Sequence, residues 1–138
     1  MAMTQTTDVL IVEDDPASRR LLLDVLNNAG YRCQATDNGE DGVRLASELS
    51  PRAILMDIKL PGVSGIVAAG RIREAESQQR KQANRRAMLI IGMSAHAMKN
   101  DLEIIEQAGF DYFITKPFSY RVLLQYLQES LVIDPTDL

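Results

Sequence analysis

Apolar positions along the chain switch period repeatedly, from short continuous runs to stripes spaced three and four residues apart. The run Val9-Leu10-Ile11-Val12, closed by the acidic cluster Glu13-Asp14-Asp15, predicts a strand buried on both faces. Asp15 suits an N-cap and Pro16 the first turn of a helix. Leu22, Val25, Leu26 and Ala29 then recur at i, i+3, i+4 and i+7 until Gly30 ends the stripe. Residues 31–36 alternate apolar and polar, the period of a strand with one more polar face. Asn38-Gly39 reads as a turn, and Gly42, Leu45, Ala46 and Leu49 as a second helical stripe that Ser50-Pro51 stops.

Ala53-Ile54-Leu55-Met56 predicts a third buried strand, ending at Asp57. A Pro- and Gly-rich loop over 60–65 precedes a helix with Ala68, Ala69, Ile72 and Ala75 on one face. The polar stretch 76–86 extends that helix and then becomes loop. Residues 88–93 predict a fourth strand with Ser94 at its end. Met98, Leu102 and Ile105 mark a fourth helix, closed by Gly109. Residues 110–115 predict a fifth strand that ends at Lys116-Pro117, and Leu123, Tyr126, Leu127 and Ser130 line one side of a last helix. Five βα units in a row predict an α/β domain: a doubly wound, five-stranded parallel sheet with helices on both faces. That domain is expected over 8–131, after a disordered or tag-like start at 1–7 and before an aperiodic tail at 132–138.

Composition narrows the function classes. With 46% hydrophobic and 25% charged residues in 138, the chain has the balance of one globular domain. The formal net charge of −4 argues against nucleic acid as a direct partner. The basic cluster Arg80, Lys81, Arg85 and Arg86 sits among Gln and Asn and reads as a solvated loop. No apolar run approaches the roughly 20 residues that cross a bilayer, and the start lacks a secretory signal, so no membrane insertion is expected. The lone Cys33 is compatible with a cytoplasmic location.

In open parallel sheets, ligands bind at the carboxyl ends of the strands. Here those ends carry Glu13 and Asp14, Asp57, Ser94 and Lys116. Three close carboxylates repel one another unless a cation sits among them. A hard divalent ion such as magnesium removes that cost. Asp14 and Asp57 are the candidate direct ligands, Glu13 a ligand through water, and the backbone carbonyl of Lys59 a further one. The cation would make an Asp57 carboxylate oxygen a workable nucleophile toward phosphorus. Lys116 would hold one phosphoryl oxygen as a point charge, and the Ser94 hydroxyl another. Singly these residues say little; jointly, each at its strand end, they describe a reversible phosphoacceptor.

The stretches Val9-Leu10-Ile11-Val12-Glu13-Asp14-Asp15-Pro16, Met56-Asp57-Ile58-Lys59-Leu60-Pro61-Gly62-Val63-Ser64-Gly65, Met93-Ser94-Ala95 and Ile114-Thr115-Lys116-Pro117-Phe118 resemble the receiver domain of two-component response regulators. The resemblance implies a flavodoxin-like sheet of order 2-1-3-4-5. It also implies phosphotransfer to Asp57 from a histidine kinase or His-containing phosphotransfer protein. The chain would be no enzyme beyond catalysing its own phosphorylation and dephosphorylation. A further implication is a switch in which Ser94 and an aromatic residue on the fifth strand, here Phe113, change position, and a cis Lys116–Pro117 peptide. Tyr112, one residue away, should face the other side of the strand. A downstream protein partner is expected on the face of the fourth helix, fifth strand and last helix. Lys59 and His96, two residues after Asp57 and Ser94, are candidates for steering water near the phosphoryl group.

Rival readings differ at named positions. An aspartyl phosphatase would want a second acid where Lys59 stands, and a flavodoxin a Gly-rich phosphate loop where Glu13-Asp14-Asp15-Pro16 stands. A degenerate receiver would be a phosphorylation-independent binding module; it would keep the fold and lose part of the five-residue set.

Overall fold

The computed structural model describes residues 6–83, 87–95, 103 and 106–131. Five strands, β1 (Val9–Val12), β2 (Cys33–Thr36), β3 (Ala53–Asp57), β4 (Leu89–Ser94) and β5 (Tyr112–Thr115), form one sheet of order β2-β1-β3-β4-β5. Every pairing is parallel, as continuous apolar strands require when both faces are covered. Four helices with complete bounds pack on it: α1 (Pro16–Asn28), α2 (Gly39–Leu49), α3 (Gly65–Ala83) and α4 (Tyr120–Ser130). The fourth helix expected from Met98, Leu102 and Ile105 lies outside the described residues, although Glu103, Glu106 and Gln107 are helical.

Side-chain alternation along the strands splits the interior into two cores. Leu10, Val12, Ile54, Met56 and Ile90 meet Ala46, Ala68, Ala69 and Ile72 of α2 and α3 on one face. Val9, Ile11, Leu55, Ile91 and Met93 meet Leu22 and Leu26 of α1 and Leu123 and Leu127 of α4 on the other. The predicted helical stripes are thus buried at their centres, while Ala29 is exposed because α1 ends before it. Thr7, within the segment expected to be irregular, is also buried.

Three local expectations change. Asn38-Gly39 is no turn: the Asn38 side chain accepts from Asp41 N at 2.8 Å as the N-cap of α2, and Gly39 is its first residue. A Cβ at Gly39 would lie 2.6 Å from the Val63 carbonyl oxygen, so glycine serves a close approach here. The second strand starts at Cys33, because Tyr31 N still bonds back to Leu26 O as α1 closes. Helix α3 runs to Ala83, so Arg80 and Lys81 are helical and not in a loop; Arg85 and Arg86 lie outside the described residues.

Candidate functional site

Parallel strands of unequal offset bring four strand ends to one edge of the sheet. Val12 pairs in register with Met56, which places Glu13 beside Asp57; Asp57 pairs with Met93, and Ser94 with Thr115. Lys116 follows at once, its N–H donating to Ser94 O at 2.8 Å, and the Lys116–Pro117 peptide is cis as expected. The side chains meet accordingly. Lys116 Nζ donates to Glu13 Oε1 at 2.7 Å and to Asp57 Oδ2 at 3.1 Å.

The two acids differ from the third in exposure. Glu13 and Asp57 are buried, Ser94 is buried beside them, and Asp14 is exposed. Each of Glu13, Asp14 and Asp57 offers an oxygen within 4.8 Å of the others, an all-carboxylate set suited to a hard cation. The Lys59 N–H donates to Asp57 Oδ1 at 3.0 Å, so the loop after β3 folds back over the carboxylate. Gly65 closes that loop: its N–H donates to Ile58 O at 2.9 Å, and a Cβ there would fall 2.2 Å from the Asp57 carbonyl oxygen.

Burial, with charge crowding behind it, shows in the proton affinities. Burial, then the hydrogen-bonded Asp57 carboxyl, pushes Glu13 up from 4.5 to about 7, with Lys116 opposing. Burial also works against the Lys116 ammonium, but its bonds to Glu13 and Asp57 outweigh that and raise it. A carboxyl whose folded pKa is raised binds its proton in the folded state while the unfolded chain has lost it. Stability from this group therefore falls as pH rises from about 4.5 through about 7. In metal-free buffer the thermal midpoint is expected to drop between pH 5 and pH 8. Glu13→Gln should flatten that slope; an unchanged slope in the variant assigns it to another group.

The switch candidate Phe113 and its neighbour Tyr112 lie on opposite sides of β5. Phe113 packs against the core between the sheet and α3, and its ring lies over Gly92, its register partner on β4. Tyr112 faces the other way and stacks on Tyr126 of α4, ring centroids 5.2 Å apart. His96 lies outside the described residues.

Sequence reasoning missed two arginines. Arg19 donates from Nη1 to the carbonyls of Glu13 and Asp14. Arg73, on α3, bonds Glu76, Asp111 and the carbonyls of Met88 and Gly109 at the opposite edge of the sheet. The signal for the second was present: Glu76 falls four residues after Ile72, on the apolar stripe, where a carboxyl needs a partner.

A model of the response regulator receiver domain matches residues 9–128. The polar-differentiation response regulator DivK of Brucella ovis is 34% identical over 126 residues, covering 91% of this chain and 97% of that protein. The receiver domain of sensor histidine kinase PA1611 from Pseudomonas aeruginosa PAO1, solved with a magnesium ion coordinated in its active site cleft, is 32% identical. It covers 92% of this chain and 98% of its own, with a TM-score of 0.78. A CheY-like receiver domain protein from Methanospirillum hungatei is 25% identical over 92% of this chain and 94% of its own, also at a TM-score of 0.78.

Proposed function

The chain belongs to the response regulator receiver domain family, phosphoacceptor switches of two-component signalling, and we propose that Asp57 is its phosphoacceptor. The observation that carries this reading is the Lys116 ammonium shared between the buried carboxylates of Glu13 and Asp57, with Asp14 beside them. A bare structural cap would not need a half-buried ammonium from 59 residues further along the chain, just past the end of β5.

The donor is a phosphohistidine on a histidine kinase or a His-containing phosphotransfer protein. An Asp57 carboxylate oxygen forms the new bond to phosphorus as the phosphorus–nitrogen bond breaks, and the imidazole nitrogen keeps the electron pair. Lys116 moves from the carboxylate to a phosphoryl oxygen, an exchange of one anionic partner for another at little cost. Ser94, buried at the end of β4, supplies a hydroxyl to a second phosphoryl oxygen. Lys59 N–H, already on Oδ1, holds the carboxylate plane during attack.

Magnesium would be held by Asp14 and Asp57 directly, Glu13 through water and the Lys59 carbonyl. When bound, it neutralises charge on the carboxylates and the incoming phosphoryl oxygens. The all-oxygen donor set fits such an ion. Attack of water on phosphorus, with the same residues in place, breaks the bond to the Asp57 oxygen, releases inorganic phosphate and restores the carboxylate; the chain thus catalyses only its own phosphorylation and dephosphorylation.

Output runs through Ser94 and Phe113 to the surface of β5, α4 and the helix expected before β5, where a downstream protein docks. Phe113 has no hydroxyl, so its two positions differ by ring burial alone. These partners place the reaction in the cytoplasm; no described helix is long and apolar enough to cross a membrane.

Incubation with magnesium and a small phosphodonor, followed by intact-mass measurement, tests the reading. A single base-labile phosphoryl adduct is expected, and none forms when the metal is chelated before the phosphodonor is added. No adduct in magnesium would leave a binding module as the better description.

A further inference from the structure

The three carboxylates are not equally anchored. Glu13 is held by Lys116 and by the Asp15 N–H, and Asp57 by Lys116 and the Lys59 N–H. Among the described residues no hydrogen bond or ion pair holds the exposed Asp14 carboxylate. Its direction is therefore set by its backbone alone.

That backbone lies in an awkward place, past the last β1 residue and before the α1 N-cap at Asp15. Carbonyls in such a position belong to neither the ladder nor the helix and need another donor. Arg19, in the first turns of α1, provides it: its Nη1 donates to Glu13 O at 3.0 Å and to Asp14 O at 3.4 Å. One guanidinium thus pins two successive peptide planes. The neighbouring Arg20 does nothing of the kind; it pairs with Asp24 on the exposed side of the helix.

We propose that Arg19 is a positioning residue for the cation. By fixing the Glu13 and Asp14 carbonyls it aims the Asp14 carboxylate at those of Glu13 and Asp57. This rests on the reading of the three acids as a magnesium site. It makes a prediction that simple electrostatics reverses. Arg19 is a positive charge beside a site for a positive ion, so its removal should tighten magnesium if charge were all that mattered. Loss of positioning weakens magnesium instead.

The test is a magnesium titration of the full chain at constant ionic strength, followed by backbone amide shifts. Arg20→Ala serves as the charge control, because it deletes the same charge from the same helix. Arg19→Ala is expected to raise Kd by roughly 10-fold, the usual scale for losing a group that orients a ligand. Arg19→Lys, whose ammonium can also donate to both carbonyls, should recover most of the affinity, and Arg20→Ala should match the native chain. An Arg19→Ala affinity equal to or tighter than that of Arg20→Ala overturns the proposal. If the native chain itself shows no saturable response at Asp14 and Asp57, the magnesium site falls, and the role of Arg19 with it.

Discussion

Replacing Asp57 with asparagine is expected to give a folded protein that takes up no phosphoryl group from a small phosphodonor in magnesium. The amide is not a nucleophile toward phosphorus at neutral pH, and Glu13, although near, is held by Lys116 and raised toward neutrality by burial. The same substitution has a predictable effect on stability. Asp57 helps to push the Glu13 proton affinity up, so its charge is a cost to the metal-free fold. Lys116 keeps its 2.7 Å bond to Glu13 when Asp57 is neutral. The thermal midpoint of Asp57→Asn in metal-free buffer at pH 8 should therefore equal or exceed that of the native chain. Intact-mass measurement and a melting curve check the two halves. An adduct on the variant would move the phosphoacceptor elsewhere, and a large fall in midpoint would mean that Asp57 serves the fold more than the chemistry.

The largest expected loss of stability lies far from that site. Arg73→Ala removes a side chain that is four-fifths buried and makes bonds to Gly109 O at 2.9 Å, Glu76 Oε1 at 3.0 Å, Met88 O at 2.6 Å and Asp111 Oδ2 at 2.7 Å. What remains is the buried Glu76 carboxylate, whose other oxygen accepts from Met88 N–H, with no cation beside it among the described residues. Breaking a buried ion pair on one side costs about 3–5 kcal/mol. At this chain length that corresponds to a fall in thermal midpoint of roughly 10 °C or more. Arg73→Lys should recover only part, because an ammonium cannot span Glu76, Asp111 and two carbonyls from one fork. Thermal and denaturant unfolding check the loss. A change below ~1 kcal/mol would mean that water replaces the network with little penalty.

These two sites show where the linear pattern carries information and where it stops. The continuous runs at Val9-Leu10-Ile11-Val12 and Ala53-Ile54-Leu55-Met56 were legible because a strand buried on both faces has no polar position to spare. Strand ends marked the candidate site at once: Asp57 and Ser94 close β3 and β4, and Glu13 and Lys116 follow β1 and β5, strands of one parallel sheet. Asn38-Gly39 was not legible. Both a turn and a helix start use that pair, and Val63, 24 residues further along, decided between them by packing its carbonyl against Gly39.

By itself, then, the sequence determined the alternation of elements, the parallel sheet and the residue types at its carboxyl edge, all consequences of local periodicity. Tertiary structure alone decided that Lys116 bridges Glu13 and Asp57, that Arg19 grips the backbone beneath Asp14, and that Glu76 is a buried partner of Arg73 and not the start of a polar stretch. The physical reason is the same for the first and the third. A buried charge is tolerated only when its partner arrives in the right place, and such partners come from other turns and strands, up to 103 residues away in the case of Lys116 and Glu13. Local pattern records which side chains need partners; only the fold supplies them.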